Sequence, residues 1–532
     1  MFSRILVSVS DKTGLALFLN SVCAKDCEIV STGGTAEFLR KEKFKVTEVS
    51  EVTGFPEMMD GRVRTLHPKI HMGLLSRSYS QEDQATLREY NVKAFDLVIV
   101  NLYPFEEAFK KGLRDKELIE KIDVGGPSML RAAAKSFERL TVVCDPKDYA
   151  LITEKVRSRS VDEKFRKYLA SKVFQACGYY DSLISRALLD SDSKWYEEET
   201  LTIPLRKKNV LRYGENPHQK AVWYETIQSH PQSLAKCEIL QGKELSYNNL
   251  VDLEAAVGAV LDFDKPACVI VKHATPCGVA ISKSIDEAYR LGFEADSVSA
   301  FGGIVALNKS ISKKLAQALV QPFLECIIAP AVDSDAREVL ASKKNLRVLI
   351  LKELDAEFTH AHPQPPANNH AHSHLSGSYE FKSLRGGALA QSLDHPCEWS
   401  DQFRIIYPKN ETELSESVKA DLIFAQRVVR HVKSNAIVVA KNLQTLGICG
   451  GQTNRVDSVK LAFARAKDKS QTGVVLASDA FFPFRDSIDL AAKENVAWII
   501  QPGGSVKDQE VEAAAKEYGI GMVITKTRHF KH

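Results

Sequence analysis

Cys268-Val-Ile-Val-Lys-His273 and Ala436-Ile-Val-Val-Ala-Lys-Asn442 are the two stretches on which the fold turns. Each is a short apolar run, strand-like in composition, closed by a lysine and one further polar residue. The first continues through a Gly-containing turn (CGVA), a helix-like stretch near Ile285 to Leu291, and the strand-like SVSAFGGIVAL ending at Leu307. The second continues through a Gly-rich turn (GICGGQTN), a helix-like Val456 to Ala466, and TGVVLASDAFF ending at Phe482. Two related α/β units side by side would account for the long second part of the chain, at a period far longer than a solenoid repeat. A chance recurrence of strand, turn and helix is the alternative.

Working toward the N-terminus, SDSKWYEEETLTIPLRKKN around residues 190–210 loses apolar periodicity and becomes charged, which places a domain boundary there. Before it, short β-rich runs alternate with helical stretches: Ile5–Val9, Glu28–Ser31, Lys45–Val49, Leu97–Val100 and Leu140–Cys144. That alternation predicts an α/β domain with a mainly parallel sheet. The loops SDKTG, TGGT and NLYPF follow strands, where ligands of open α/β sheets bind. Between the two repeated stretches lies HAHPQPPANNHAHSH, with His360, His362, His370, His372 and His374. Transition-metal binding is one reading of it, and a surface loop of biased composition is the favoured one.

Composition bounds the function. A chain of 532 residues suggests roughly two to four domains of about 150 residues each. Its 71 Lys and Arg against 68 Asp and Glu leave a net charge of +3, so no whole-molecule field draws in nucleic acid or an anionic membrane. Any affinity for anions must come from local clusters. No apolar run is long enough for a membrane span, and MFSRILVSVSDKTG lacks the features of a signal or transit peptide. Ten cysteines without Cys-x-x-Cys or Cys/His ligand spacing point to a reduced, cytoplasmic setting.

Local clusters do occur. Ser10-Asp11-Lys12-Thr13-Gly14 and Ser31-Thr32-Gly33-Gly34-Thr35 each join hydroxyls and glycine to a following helix, the make-up of a phosphate cradle. Neither is a P-loop, and singly each is as readily a structural turn. Asp60-Gly-Arg62-Val63-Arg64-Thr65-Leu-His-Pro-Lys69 adds a basic loop, and the coincidence favours a small phosphorylated ligand. Asp123-Val124-Gly-Gly-Pro127 opens a helix on which Arg131 and Lys135 fall on one face, so an acidic neighbour or shared anion is expected. Lys272-His273 suits a general base with an electrophilic helper, although a histidine satisfied within the core is commoner. Arg212-Tyr213, Asn435, Arg455, Arg485-Asp486 and the terminal Arg528 to His532 are further polar residues in turns.

SVSDKTG, TGGTA, TGFPEMMDGRV, TLHP, NLYPF, IDVGGPSMLRAAAK, LRYGENPHQ, VKHATPCG, FGGIVAL, SDAFFPFRD and RHFKH occur in this order along essentially the whole chain. In these motifs the chain closely resembles the bifunctional purine-biosynthesis family of phosphoribosylaminoimidazolecarboxamide (AICAR) formyltransferase / IMP cyclohydrolase. The resemblance implies an α/β protein: a methylglyoxal-synthase-like cyclohydrolase domain over residues 1–195, then a tandem cytidine-deaminase-like transformylase region over 196–532. It implies nucleotide binding in the first domain by Ser10, Asp11, Lys12, Thr32, Gly33, Gly34, Thr35, Arg62, Val63, Arg64, Thr65, Asn101, Asp123 and Val124. Lys135 would be the proton donor and acceptor, with Asp123 and Tyr103 beside it.

For the second region the resemblance implies His273 as base, Lys272 assisting, and Asn435 positioning the intermediate. AICAR would meet Arg212, Tyr213, His273, Gly302, Glu325, Asn435, Arg455, Phe481 and Arg528. The co-substrate 10-formyltetrahydrofolate would meet Val456, Asp486, Gly503 and Gly504. The substrates and products implied are AICAR, formyl-AICAR and IMP; a homodimer is implied, and neither metal, nucleic acid nor membrane. The zinc-ligand pattern of deaminases is missing from the sequence.

Two positions depart from the family's pattern. Arg64 stands where the family usually has lysine; it keeps the charge but cannot readily give up a proton. Glu325 replaces an aspartate and is one methylene longer. A nucleotide-sensing protein with transformylase activity only is the alternative for the first domain. An RNA-binding protein on a deaminase-like fold would need a basic groove with stacking aromatics.

Overall fold

A computed structural model describes residues 1–189, 194–227, 230–355, 379–408, 411–466 and 472–532. The histidine-rich stretch 360–374 lies outside the described residues. The chain separates into two compact units, Met1–Arg206 with Thr226–Gln228, and Lys207–Glu225 with Ser229–His532. Among the described residues no helix is long and apolar enough to cross a membrane.

The first unit is built on five strands: β1 (Phe2–Val9), β2 (Cys23–Ser31), β3 (Val46–Glu48), β4 (Leu97–Asn101) and β5 (Thr141–Val143). They form one sheet in the order β3-β2-β1-β4-β5 with every pairing parallel. Alternate residues point to opposite faces, and both faces are covered. Leu6, Val30, Val98, Val100 and Val142 meet the helices Pro68–Leu75, Gly125–Lys135 and Glu163–Leu188. Ile5, Val7, Ile29, Leu97, Ile99 and Val143 meet Leu15–Val22 and Tyr149–Arg157. Burial on both faces is why β1, β4, β5 and the end of β2 are near-continuous apolar runs. Arg131 finds the acidic neighbour expected of it in Asp181, on the long helix.

In the second unit β6 (Leu205–Leu211) pairs with β7 (Ala221–Thr226), and β14 (Tyr379–Leu384) pairs with β15 (Gly387–Ser392). Its main sheet has twelve strands: β8 (Glu238–Gln241), β9 (Ala267–Lys272), β10 (Thr275–Ile281), β11 (Gly303–Leu307), β12 (Leu324–Ala329), β13 (Arg347–Ile350), β16 (Arg404–Ile406), β17 (Ile437–Lys441), β18 (Gln444–Cys449), β19 (Val474–Ser478), β20 (Val496–Gln501) and β21 (Gly521–Ile524). The order is β16-β21-β20-β19-β17-β18-β10-β9-β11-β12-β13-β8. It reads the same from both ends, with β10 beside β18 at the middle.

The registers repeat too. Cys268 to Val271 lie opposite Leu307 to Ile304, as Ile437 to Ala440 lie opposite Ser478 to Val475. Each copy is a β-hairpin, a strand antiparallel to its first arm, and two more strands parallel to that one. The recurrence seen in the sequence is therefore a structural repeat. One face is a single core shared by the helices Tyr247–Val260 and Glu416–Val429; the other face carries a separate core for each copy.

The expected turns are corrected. Cys277-Gly-Val-Ala280 lies inside β10, and Gly447-Ile-Cys449 inside β18. The hairpins turn earlier, at His273-Ala274 and Asn442-Leu443, all four in the left-handed region. Gly278 and Gly447 are glycine because a helix packs on each: a Cβ there would fall well inside contact distance of the backbone carbonyl of Gly292 or Ala462. Thr445 Oγ1 accepts from Val279 N–H at 3.0 Å and donates to its carbonyl at 3.2 Å, joining the copies.

Gly447→Ala should therefore lower unfolding free energy by about 2–3 kcal/mol through overpacking. Gly178→Ala, exposed within the helix Glu163–Leu188 and with open space around it, should raise it by up to about 1 kcal/mol. Denaturant unfolding curves of the two variants check both signs.

Candidate active sites

In the first unit the parallel sheet puts the loops after β1, β2 and β4 at one end, together with the start of the helix Gly125–Lys135. Asn101 closes β4 onto the first loop: its Oδ1 accepts from Ser10 N–H at 2.7 Å and Asp11 N–H at 3.0 Å, and its Nδ2 donates to Asp11 O at 2.8 Å. Lys12 Nζ turns back to Ser10 O at 3.4 Å. Thr35 is buried and bonds Val9 N–H and carbonyl at 3.1 and 3.0 Å, holding the second loop against the first. The helices beginning at Leu15 and Gly33 have no side-chain cap on their first turn, at Gly14 and Thr32 respectively. Leu15 N–H donates to Lys12 O at 3.2 Å, and the other leading N–H groups of these helices face the loops, where an anion can meet them.

The basic loop lies against these. Arg64 is paired with Glu57, and its guanidinium occupies the space a side chain on Gly33 or Gly61 would need. Arg62 is paired with Glu120, and Val63 is exposed. Thr65 is buried, its hydroxyl 2.8 Å from where a Cβ on Gly125 would stand. At that helix start Asp123 accepts from Gly126 N–H at 2.8 Å, while its own N–H donates to Tyr180 at 2.8 Å. Burial holds the Asp123 carboxyl above the usual carboxylate range, against the opposing pull of the Gly126 and Tyr103 N–H groups. The Tyr103 and Val124 side chains are exposed beside it.

Lys135 is not beside Asp123. It is the last residue of the helix that Asp123 precedes, and eleven residues at 1.5 Å each put it about 16 Å away along the axis, at the opposite end of the sheet. The placement of Lys135 beside Asp123 comes from the family resemblance alone; the twelve-residue spacing along one helix separates the two.

In the second unit strand directions decide what can meet. The end of β9, the starts of β10, β11, β12 and β17, and the ends of β18, β19, β20 and β21 share one end of the sheet. Lys272, His273, Gly302, Glu325, Asn435, Arg455, Phe481, Gly503, Gly504 and Arg528 all belong to it. Lys272 Nζ donates to Phe301 O, and Glu325 accepts from Arg347 at 2.8 Å. Ala274 N–H donates to Asp252 Oδ1 at 2.6 Å, which fixes the turn that carries His273. Burial raises Asp252, opposed by that N–H and by the charges of His273 and Lys272.

Arg455 is 6% exposed, and its guanidinium is held by Asp479, Ser478 and Asn435. Gly504 N–H donates to Asp508 Oδ2 at 2.7 Å, and Gly503 N–H to Gln501 Oε1 at 3.2 Å. Asp486 accepts from Ser487 N–H at the start of its helix, and Val456 is half-buried next to Arg455. Arg212 stacks on Tyr213 with 5.5 Å to the ring centroid, and Arg528 on Phe530 with 4.4 Å. Asp252 and Asp479 were not anticipated: an aspartate within a helix or after a strand reads in sequence as a solvated residue.

A parallel sheet crowned by anion-accepting loops, followed by a duplicated sheet with its polar residues gathered at one end, defines a two-unit α/β enzyme. The family described as AICARFT/IMPCHase bienzyme matches residues 133–465, and an MGS-like domain matches residues 14–128. "Bifunctional purine biosynthesis protein PurH" of Persephonella marina is 45% identical over 100% of both chains. The protein of the same description from Aquifex aeolicus is 44% identical over 99% of this chain and 100% of its own, and that from Bacillus thuringiensis subsp. konkukian 46% over 100% of both. A solved structure titled "Crystal structure of ForH" is 30% identical over 34% of this chain and 95% of its own, with a TM-score of 0.30. The chain belongs to the AICARFT/IMPCHase bienzyme family. It is a bifunctional purine-biosynthesis enzyme, AICAR formyltransferase and IMP cyclohydrolase, whose N-terminal domain is MGS-like.

Asp252→Ala would strand the Ala274 N–H and should cost about 1–3 kcal/mol. Asp252→Asn keeps an acceptor and should cost less, a ranking that thermal unfolding would check.

Proposed function

We propose that the two activities are divided between the units, with ring closure of formyl-AICAR to IMP in residues 1–195 and formyl transfer to AICAR in residues 196–532. The observation that carries the reading is the gathering of His273, Lys272, Asn435 and Arg455 at one end of the duplicated sheet. At the opposite end stand the repeat's counterparts: Asn442 occupies the place of His273, and Pro266, Ile285 and Asn308 occupy those of Asn435, Arg455 and Asp479. The repeat supports a tandem cytidine-deaminase-like architecture for this region.

Formyl transfer takes the formyl group from 10-formyltetrahydrofolate as co-substrate. The 5-amino group of AICAR is conjugated into its imidazole and is a poor nucleophile, so a base must remove its proton as it attacks. His273, raised on a turn fixed by Asp252, is that base; Lys272 offsets charge on the leaving side, and Asn435 steadies the tetrahedral intermediate. Arg212, Tyr213, Gly302, Glu325, Phe481 and Arg528 line the AICAR side, and Val456, Asp486, Gly503 and Gly504 the folate side. Two strands separate β9 from β17, about 14 Å at the usual inter-strand spacing. His273 and Asn435 of one chain are thus widely spaced for one reacting centre, which supports a homodimer in which each chain completes the other's site. The setting proposed is the cytoplasm.

Ring closure needs less. Both reacting groups sit on one imidazole, so alignment contributes much of the acceleration. The loops at 10–12, 32–35 and 62–65 with Asn101 and Val124 hold the nucleotide, and Asp123 and Tyr103 handle the proton. Lys135 takes part only with a substrate brought to the far end of its helix. Arg64, lying over Gly33 and paired with Glu57, serves as a positive charge.

Given AICAR and 10-formyltetrahydrofolate, the protein should yield both formyl-AICAR and IMP; transfer without IMP would instead favour the nucleotide-sensing reading of the first unit. His273→Ala should lower formyl transfer by at least about 100-fold, the scale of a lost general base, with cyclisation of supplied formyl-AICAR intact. Loss of both activities would contradict two independent sites. Arg64→Lys should change cyclisation by less than about tenfold, since charge is kept; acceleration by orders of magnitude would show that a proton, not a charge, is needed there. The acid limb of the cyclisation pH profile should lie above an ordinary aspartate's range, because burial raises Asp123, and should vanish in Asp123→Asn.

A further inference from the structure

We infer that Asp479 is a positioning residue for formyl transfer: its buried carboxylate holds Arg455 and Ser434, and through them sets the orientation of the Asn435 amide. The inference rests on the reading that Asn435 serves this reaction.

Asp479 is 0% exposed. Its Oδ1 accepts from Arg455 Nη1 and its Oδ2 from Ser434 Oγ, the residue before Asn435. Arg455 Nη1 also reaches Ser478 Oγ at 2.9 Å, and Nη2 donates to Asn435 Oδ1 at 2.8 Å. A guanidinium can only donate, so the amide atom facing it is the oxygen. Asn435 Nδ2 then points the other way and donates one hydrogen to Gln452 O at 2.9 Å. Its second hydrogen is left to meet an acceptor such as a formyl oxygen. Ser458 Oγ fixes the Asn435 carbonyl at 2.7 Å. The terminal tail is tied to the same residue, since His529 N–H donates to Asp479 O at 2.9 Å. That bond seats Arg528, one residue earlier.

The other copy shows what the position does when it has no such task. Asn308 follows β11 as Asp479 follows β19, and the backbone N–H of each donates to the matching alanine, Ala267 at 3.4 Å or Ala436 at 3.3 Å. The Asn308 side chain accepts from Ala267 N–H at 2.7 Å and donates to Phe263 O and Lys265 O, each at 2.8 Å, closing the preceding loop with neutral groups. A carboxylate has no hydrogen to give, so at Asp479 the partners must be donors, and Ser434 and Arg455 fill that role. The helix residue matching Arg455, the first of its helix, is Ile285. The charge pair therefore belongs to one copy only, and the fold tolerates asparagine at this position.

The test is a double-mutant cycle in the full-length protein with Asp479→Asn, Arg455→Gln and both together, reading formyl-transfer kcat and KM for AICAR, thermal unfolding, and cyclisation of supplied formyl-AICAR. Asp479→Asn should lower formyl-transfer kcat at least about tenfold, and less than about twofold further once Arg455 is glutamine, because the two act as a unit. Cyclisation should be unchanged. The double variant buries no lone charge and keeps the test open if the single one does not fold; Ser434→Ala, which leaves the ion pair in place, should lower kcat with little change in melting temperature. Equal losses from Asp479→Asn in both backgrounds, or a native kcat in Asp479→Asn and Ser434→Ala, would overturn the inference. Asn435→Ala separates the two levels: normal formyl transfer in that variant sinks the site assignment itself, whereas a dead Asn435→Ala beside a fully active Asp479→Asn sinks only the role of Asp479.

Discussion

The junction of β10 with β18 is the constraint on which the second unit depends. A register slip of one residue there would exchange the inward and outward faces of half the sheet. Thr445 resists it from a buried position, as acceptor and donor to one residue of the facing strand. Because the strands on either side run in mirrored order, that junction also decides which turns share an end of the sheet. Reversing either copy would leave Asn435 and Arg455 at one end of the sheet and His273 at the other.

Duplication supplies the scaffold and divergence supplies the chemistry. Both copies keep the lysine at the end of the first hairpin arm, and both lysines reach a backbone carbonyl across the next loop: Lys272 to Phe301, Lys441 to Thr472. Both keep an aspartate on the preceding helix that accepts from the turn, Asp252 and Asp421. What differs is local. The turn holds His273 in one copy and Asn442 in the other, and the strand entry holds Pro266 in one and Asn435 in the other. The helix start has Ile285 or Arg455, and the residue after the third strand is Asn308 or Asp479. Each copy has kept the structural residues, and the chemistry-bearing ones stand at whichever of its positions reach the shared end.

The central strands of the first unit were legible because a parallel sheet buried on both faces leaves no polar alternation to confuse the signal, while the half-buried edge strand β3 showed only as a short β-rich run. The hairpin turns of the second unit were not. They lack the Asn-Gly or Asp-Gly pair that marks tight turns, and use His273-Ala274 and Asn442-Leu443 instead, with the glycines nearby serving helix packing. A reader of sequence sees glycine and infers a bend, when the same absence of a Cβ answers equally to close approach. The residues around Asn435 were legible singly, but Asp479 was not, because its meaning lies in partners brought from the loops before β17 and after β18.

Near-neutrality conceals how the positive charge is deployed. In the first unit Arg62, Arg64 and Arg131 are each paired with a carboxylate, Glu120, Glu57 and Asp181, and all of these pairs are at least partly exposed. Such pairs contribute little stability in water, so an anion arriving at the loops can displace a carboxylate at small cost. Arg455 is the opposite case: 5% exposed at its side chain, against an aspartate with no exposure, it could leave its partner only by stranding a buried charge. Pairs that a ligand can open belong at a binding loop, and a pair that cannot be opened belongs beneath a residue whose orientation must not change. Within one chain the two units use arginine–carboxylate pairs for these two purposes, and burial sets the difference between them.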